Sequence, residues 1–395
     1  MYKINTKKPS SLILIKLTSS PSIGAVLFTP GLPEIIQYFG ISSGLAQLTL
    51  TLFLIGYACG QLLYAPLANR WGRRPTIFIG MGIAVFGSIL AILSGPLHSF
   101  MLLLFGRLVM AIGSSVGLVL TFTIINDFYH EHQARRVIPI ISLAFAIVPF
   151  IGIAIGGGLV HFWRWNSCFY FMAIYNLFVL FMCLLLPETA TQLDPCATCF
   201  SDIKRRYLDA FKNRRLFSFS TLFGLTTAII YIFAAVAPLI VINHFGVNPG
   251  HFGIVNLIVA VGYVLGNISS AHLSKYWEGR VVMLLGYGIF SIAIIAFTVF
   301  CILKQLNLYS FYIPFFFAYF GMPLSFSNAA VYATGQYEDR PTGASVMMFV
   351  NMVLATLGVL IMGALPGSLF VTLPLVLIII LVIYFFLFSY AKRLL

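Results

Sequence analysis

The stretch GQLLYAPLANRWGRRPTIFIG, Gly60 to Gly80, decides how this chain is read, because it returns as GNISSAHLSKYWEGRVVMLLG at Gly266 to Gly286. The copies align without a gap: Gly60 with Gly266, Ala65 with Ala271, Leu67 with Leu273, Trp71 with Trp277, Arg74 with Arg280, Gly80 with Gly286. Upstream, Gly56-Tyr57 matches Gly262-Tyr263. Each copy is a polar, basic hairpin between two long apolar runs. A membrane chain that keeps such a hairpin in both halves is expected to form two pseudo-symmetric helix bundles, an arrangement suited to transport.

The composition points the same way. Of 395 residues, 60% are hydrophobic and 8% charged, with a mean hydropathy of +1.00, whereas a soluble protein carries about 25% charged residues. One globule cannot hide that much apolar surface, so lipid is the solvent. About 20 apolar residues cross the hydrocarbon core. Such runs fall at 11–33, 44–68, 76–94, 99–124, 137–161 and 166–186, then at 216–243, 252–273, 281–303, 309–335, 342–364 and 368–390. The expected fold is all-α and polytopic, with twelve helices in two six-helix bundles. Residues 1–189 would form the first bundle, 190–215 a cytoplasmic central loop and 216–395 the second bundle.

The net charge of +13 does not point to nucleic acid, because the basic residues sit in short links between apolar runs. With twelve spans, Arg70, Arg73, Arg74, Arg135, Arg136, the cluster from Lys204 to Arg215, Lys275, Arg280, Arg340, Lys392 and Arg393 share one side. Only Arg164 and Lys304 fall on the other. The positive-inside rule then places both termini in the cytoplasm. Lys16 interrupts the first apolar run, which reads as a span that stays attached. Residues 201–215 are expected to form a short amphipathic helix on the membrane surface, tethering the bundles. Cys196 and Cys199 form a lone CxxC in the same link, which reads as a reduced loop pair. The HEH string at His130 to His132 reads as solvated. No nucleophile–base pair, phosphate loop or metal-ligand cluster stands out, so neither an enzyme nor a cofactor is expected.

LYAPLANRWGRRP, Leu63 to Pro75, resembles the signature loop of the major facilitator superfamily, and within it the bicyclomycin-resistance type of drug:proton antiporter. AQLTLTLFLIGYACGQ before the loop, GRLVMAIGSSVG in the fourth span, WRW at Trp163 to Trp165 and LLLPET at Leu184 to Thr189 resemble the same family. The resemblance implies two bundles around a central cavity, alternating access, and a monomer in the bilayer of a bacterial inner membrane. Its partners would be a small-molecule substrate and protons.

The loop chemistry fits a conformational latch. Gly60 and Gly72 permit close helix contact and a tight turn, and Arg70, Arg73 and Arg74 can hold helix ends and carboxylates. Asn69 stands where the family usually has an acid, and Asp127 in INDFY is the candidate to supply that carboxylate to Arg73 or Arg74. Arg107 lies well inside the fourth span, where a cation is costly; it matches the family's fourth-span arginine and is expected to line the cavity. Gln47, Tyr57, Tyr231, Asn256 and Asn328 are the other candidate substrate contacts, against the alternative that such amides join helices. Pro149, Gly152, Gly156 and Gly157 match the fifth-span antiporter motif, expected to pack against the other bundle, with Ile153 where its second Pro belongs.

Other positions depart from the family. Val26 occupies the place of the usual first-span acid, and Phe122 and Asn126 replace arginines of the fourth span. Glu34 and Asp127 are the acids nearest to spans and the candidates for proton linkage. The expected function is therefore drug or metabolite efflux. The alternatives are a uniporter or importer of a small metabolite or siderophore-like compound, and a non-transporting receptor or scaffold.

Overall fold

The computed structural model describes residues 9–128, 131–190, 193–195, 197–335, 337 and 340–394. The side chains of HEH and the whole of Cys196 lie outside the described residues. Every regular element described is helical. The first six spans are Ser11–Phe39, Ser43–Trp71, Arg73–Leu93, Phe100–Ile125, Glu131–Phe162 and Ser167–Leu185. An amphipathic helix, Phe200–Lys212, comes next. Spans seven to twelve are Arg214–Asn243, Pro249–Leu273, Gly279–Ile302, Leu308–Thr334, Arg340–Ala364 and Leu369–Ala391. Among the described residues, ten helices are long and apolar enough to cross a membrane, and Ile147–Phe162 in the fifth span is a shorter apolar stretch. The tenth span, Leu308–Thr334, is not among those ten, because Pro314, Pro323 and four tyrosines dilute its phenylalanines.

The links supply helix caps. Side-chain oxygens of Ser99, Asn213, Asn248, Asn307 and Ser368 each accept an N–H from the first turn of the following helix, which satisfies donors the helix itself cannot. The first span changes its winding part-way. Pro30 lacks an N–H, so the first span breaks at 27–31; there the Thr29 hydroxyl donates to the Val26 carbonyl at 2.8 Å. The fourth span runs on through Ser115, which keeps helical backbone angles and donates its hydroxyl back to Ile112 O at 2.7 Å. The eighth runs on through Asn256, whose N–H donates to Phe252 O at 2.9 Å.

The chain forms two compact units: residues up to Ile41 with Leu48–Arg206, and Ser42–Gln47 with Tyr207–Leu395. The link expected as a separate segment at 190–215 is thus divided. Its first part is bound to the first unit by Asp194 N–H donating to Asn69 O at 3.0 Å and by Arg70 donating to the Thr198 hydroxyl at 2.6 Å. Phe211, in its second part, packs edge-on against Phe349.

Within each unit the repeated glycines make the same contact. A Cβ on Gly56 or Gly60 would lie 2.6 and 2.9 Å from the carbonyls of Leu108 and Ile112, so the second span touches the fourth backbone to backbone. A Cβ on Gly262 or Gly266 would lie 2.5 and 2.2 Å from the carbonyls of Phe316 and Phe320, so the eighth span meets the tenth in the same way. Small residues permit such approach where lipid offers no hydrophobic drive. Buried polar groups add links: Ser20 donates to Asn176 Oδ1 at 2.6 Å, and Asn176 Nδ2 donates to Ser88 at 3.2 Å, joining spans one, six and three.

Candidate functional site

The first hairpin is built around a helix start that has no cap of its own. Gly72 precedes the third span at φ +100°, and its lack of a side chain leaves the first-turn N–H groups bare. Glu188, from LLLPET beyond the sixth span, fills that place. Its Oε1 accepts from Arg73 N–H at 3.0 Å and from Ala190 N–H at 2.9 Å, and its Oε2 accepts from Arg74 N–H at 2.9 Å. A carboxylate there gains both the free donors and the positive end of the helix dipole. A Cβ on residue 72 would sit 2.8 Å from that carboxylate. Gly72 is therefore required twice, by its backbone angle and by the space Glu188 occupies.

A second carboxylate completes the cluster. Arg73 Nε donates to Asp127 Oδ2 at 2.7 Å, and Arg73 Nη1 donates to Ala68 O at 3.0 Å. The Thr189 hydroxyl donates to the same Asp127 oxygen at 3.2 Å. Arg74 donates to Leu184 O at 2.9 Å and lies over the Phe78 ring. The Asn69 side chain is exposed, and its backbone carbonyl, rather than its amide, ties it to the link. The hairpin thus joins spans two, three and four and the segment after span six. One signal for Glu188 stands in the sequence: a helix start at Gly72 with no oxygen of its own, on the same side as a PET string.

The second hairpin has no such closure among the described residues. Glu278 pairs with Arg280 two residues on, both on the surface. Gly279 packs against Tyr332 and Asn328.

Arg107 is wholly buried. Its guanidinium donates to Gly24 O at 2.6 Å, Ala25 O at 3.2 Å and Thr49 O at 3.1 Å, and lies 4.2 Å from the ring centroids of Phe28 and Phe53. The break at Pro30 leaves carbonyls at the end of Ser11–Val26 open to it. The arginine expected to line a cavity is instead enclosed, clamping spans one, two and four; carbonyl dipoles and ring faces offset its charge.

Other candidates are also placed. Glu34 accepts from Trp165 N–H at 2.8 Å, beside an aromatic cluster of Tyr38, Phe39, His98 and Trp165. Val26 is 3% exposed and faces the fifth span near Gly152. Gly152 and Gly156 face Ile23 and Leu27 of the first span, with a Cβ on Gly156 only 1.7 Å from Leu27 O. The contact expected with the other bundle is therefore, for these two glycines, a contact inside their own. Gly157 is buried and Pro149 half-buried. Asn328 corrects another expectation: its Nδ2 donates to Leu324 O at 3.0 Å and its Oδ1 accepts from Ser274 at 3.3 Å, joining spans ten and eight. Gln47 and Tyr57 are buried, and Tyr231 is 8% exposed. Asn256 is fully buried, and neither its Oδ1 nor its Nδ2 has a hydrogen-bond partner among the described residues.

A profile described as Major Facilitator Superfamily matches residues 21–227, more than half of the chain. The chain belongs to the Major Facilitator Superfamily. An uncharacterised transporter of Rickettsia bellii is 29% identical over 291 residues, 72% of this chain and 70% of that one. Multidrug resistance protein D of Escherichia coli is 26% identical over 275 residues, covering 68% and 65% of the two chains. The bicyclomycin resistance protein homolog of Haemophilus influenzae is 24% identical over 254 residues, 63% of each. Among solved structures, an inward-facing bacterial homolog of the lysosomal transporter Spinster superposes with a TM-score of 0.75 at 18% identity, covering 97% of this chain and 96% of that one. This member of the superfamily is a multi-pass membrane protein and a secondary transporter.

Proposed function

We propose that this transporter exports amphipathic small molecules, drugs or endogenous metabolites, across a bacterial inner membrane by alternating access, with both termini in the cytoplasm. The observation that carries the reading is the first hairpin. A helix start closed by Glu188 and an Arg73–Asp127 pair tie four segments of the first unit together at one end, through contacts that a small shift of those helices against one another would break together. Such a cluster suits a latch that holds one conformation and releases it. The similarity to multidrug resistance and bicyclomycin resistance proteins supports export over import.

The test is accumulation of a neutral dye, Nile red, in cells expressing the chain. Lower steady-state dye than in control cells is expected, with loss of that difference in Gly72→Val. Equal accumulation in expressing and control cells would overturn the export reading.

A second reading, a carrier without tight proton coupling, is favoured by the buried Val26 at the place of the usual acid.

A further inference from the structure

The two hairpins differ in what neutralises them. In the first, Asp127 meets Arg73 and Glu188 closes the helix start. In the second, AHLSKYWEGR, the sole carboxylate is that of Glu278, and Arg280 takes it. Lys275 is exposed, and among the described residues no carboxylate pairs with it. His272, in the last turn of the eighth span, is exposed as well, its ring 5.3 Å from that of Tyr276.

At His272 the surface of the second unit is hollow. A groove of about 370 Å³ is walled by the eighth, ninth and tenth spans. Ile268 and Leu273 line it from the eighth, Leu285 from the ninth, and Phe320 and Leu324 from the tenth. Ser269 and His272 are its polar members, so His272 belongs both to the groove and to the basic end of the span. Ile268 is 59% exposed, so the groove is open to its surroundings.

The hairpin also marks a depth. Tyr276 and Trp277, just past the groove, are 73% and 46% exposed, and such rings collect at the level of the lipid headgroups. The groove then reaches from that level into the hydrocarbon. This is the layout a phospholipid requires, with an apolar channel for an acyl chain and polar groups at its mouth. Charge selects the kind of lipid. Basic pockets between spans attract anionic headgroups, whereas a zwitterionic headgroup brings its own cation to a place that already holds unpaired ones.

We propose that this groove seats an anionic phospholipid, with one acyl chain in the channel and the phosphate on Lys275 and His272. The lipid supplies to the second hairpin the negative charge that Asp127 and Glu188 supply to the first. The test uses the purified full chain, stripped of lipid in detergent. The probes are phosphatidylglycerol, phosphatidylcholine with the same acyl chains, and soluble glycerol 3-phosphate. Native mass spectrometry should show phosphatidylglycerol bound about tenfold more tightly than phosphatidylcholine, as expected for two cations near a headgroup. Phosphatidylglycerol should raise the melting temperature by about 3 °C or more, as a ligand of the folded state does, and glycerol 3-phosphate should not.

Replacing both cations, Lys275→Gln with His272→Gln, should cut the preference for phosphatidylglycerol to less than about twofold, while Lys275→Arg alone should keep it. Ser269→Phe fills the groove without touching the charges and should weaken both phospholipids. These side chains are exposed or half-buried, so the lipid-free melting temperature should stay within about 1 °C of the unmodified protein. Equal binding of the two phospholipids, or a preference that survives the loss of both cations, would overturn the proposal. So would undiminished binding by Ser269→Phe, or a melting shift that glycerol 3-phosphate reproduces.

Discussion

At the scale of single residues, Glu188 and Arg107 act as fasteners rather than as reacting groups. Glu188→Gln keeps the shape of the cap but loses its charge, and charge-assisted bonds at a helix start contribute about 1–2 kcal/mol. A melting temperature several degrees lower in detergent is expected, with transport impaired. Gly72→Ala should cost at least as much, since it adds an unfavourable backbone angle to a clash with the carboxylate. Arg107→Lys leaves a cation without the fork that reaches three carbonyls at once. About 2–3 kcal/mol of stability should be lost, read by thermal melting. Unchanged melting with abolished transport would instead place Arg107 on the solute. The sequence made Arg107 legible as important but not as enclosed, because its partners are backbone carbonyls, two of them at the end of a broken helix. A carbonyl leaves no mark in a sequence; only Pro30 hinted at it.

Among the elements, the repeated glycines set how near helices come, and substitution should rank by what a methyl group would meet. Gly266→Ala drives Cβ to 2.2 Å from a backbone carbonyl, which cannot turn aside, so the eighth and tenth spans must separate. Gly60→Ala meets Ser115 Oγ first, at 1.9 Å; a hydroxyl can rotate, leaving the Ile112 carbonyl at 2.9 Å as the harder contact. Gly266→Ala should therefore lower the melting temperature more than Gly60→Ala. Gly82→Ala, with nothing within 4 Å, should raise it slightly through better helix propensity, worth up to about 1 kcal/mol. The spans themselves were legible because apolar length is a direct physical requirement of the bilayer. The continuity of the fourth and eighth spans through Ser115 and Asn256 was legible too, since nothing in GSSVG or VNLIV forbids a helix. The split of 190–215 was hidden, because it depends on which distant groups the link meets.

For the whole molecule, the two halves share their helix packing but not their electrostatics. The first hairpin holds Glu188 and Asp127 from distant parts of the chain, whereas Glu278 and Arg280, among the described residues, pair with each other on the surface. An exposed pair of this kind contributes about 0–1 kcal/mol. Glu278→Gln should leave melting and transport nearly unchanged, while Asp127→Asn should slow transport as much as Arg73→Gln does. Equal effects from the two hairpins would mean that the latch is shared.

The Glu188 cap also bears on biosynthesis. The carboxylate that closes the start of the third span lies 114 residues beyond Arg74, and at about 5–20 residues per second it leaves the ribosome on the order of ten seconds later. Through that interval the third span waits in the membrane with its first-turn N–H groups open, and the last residues of the first half to be made are the ones that stitch it shut.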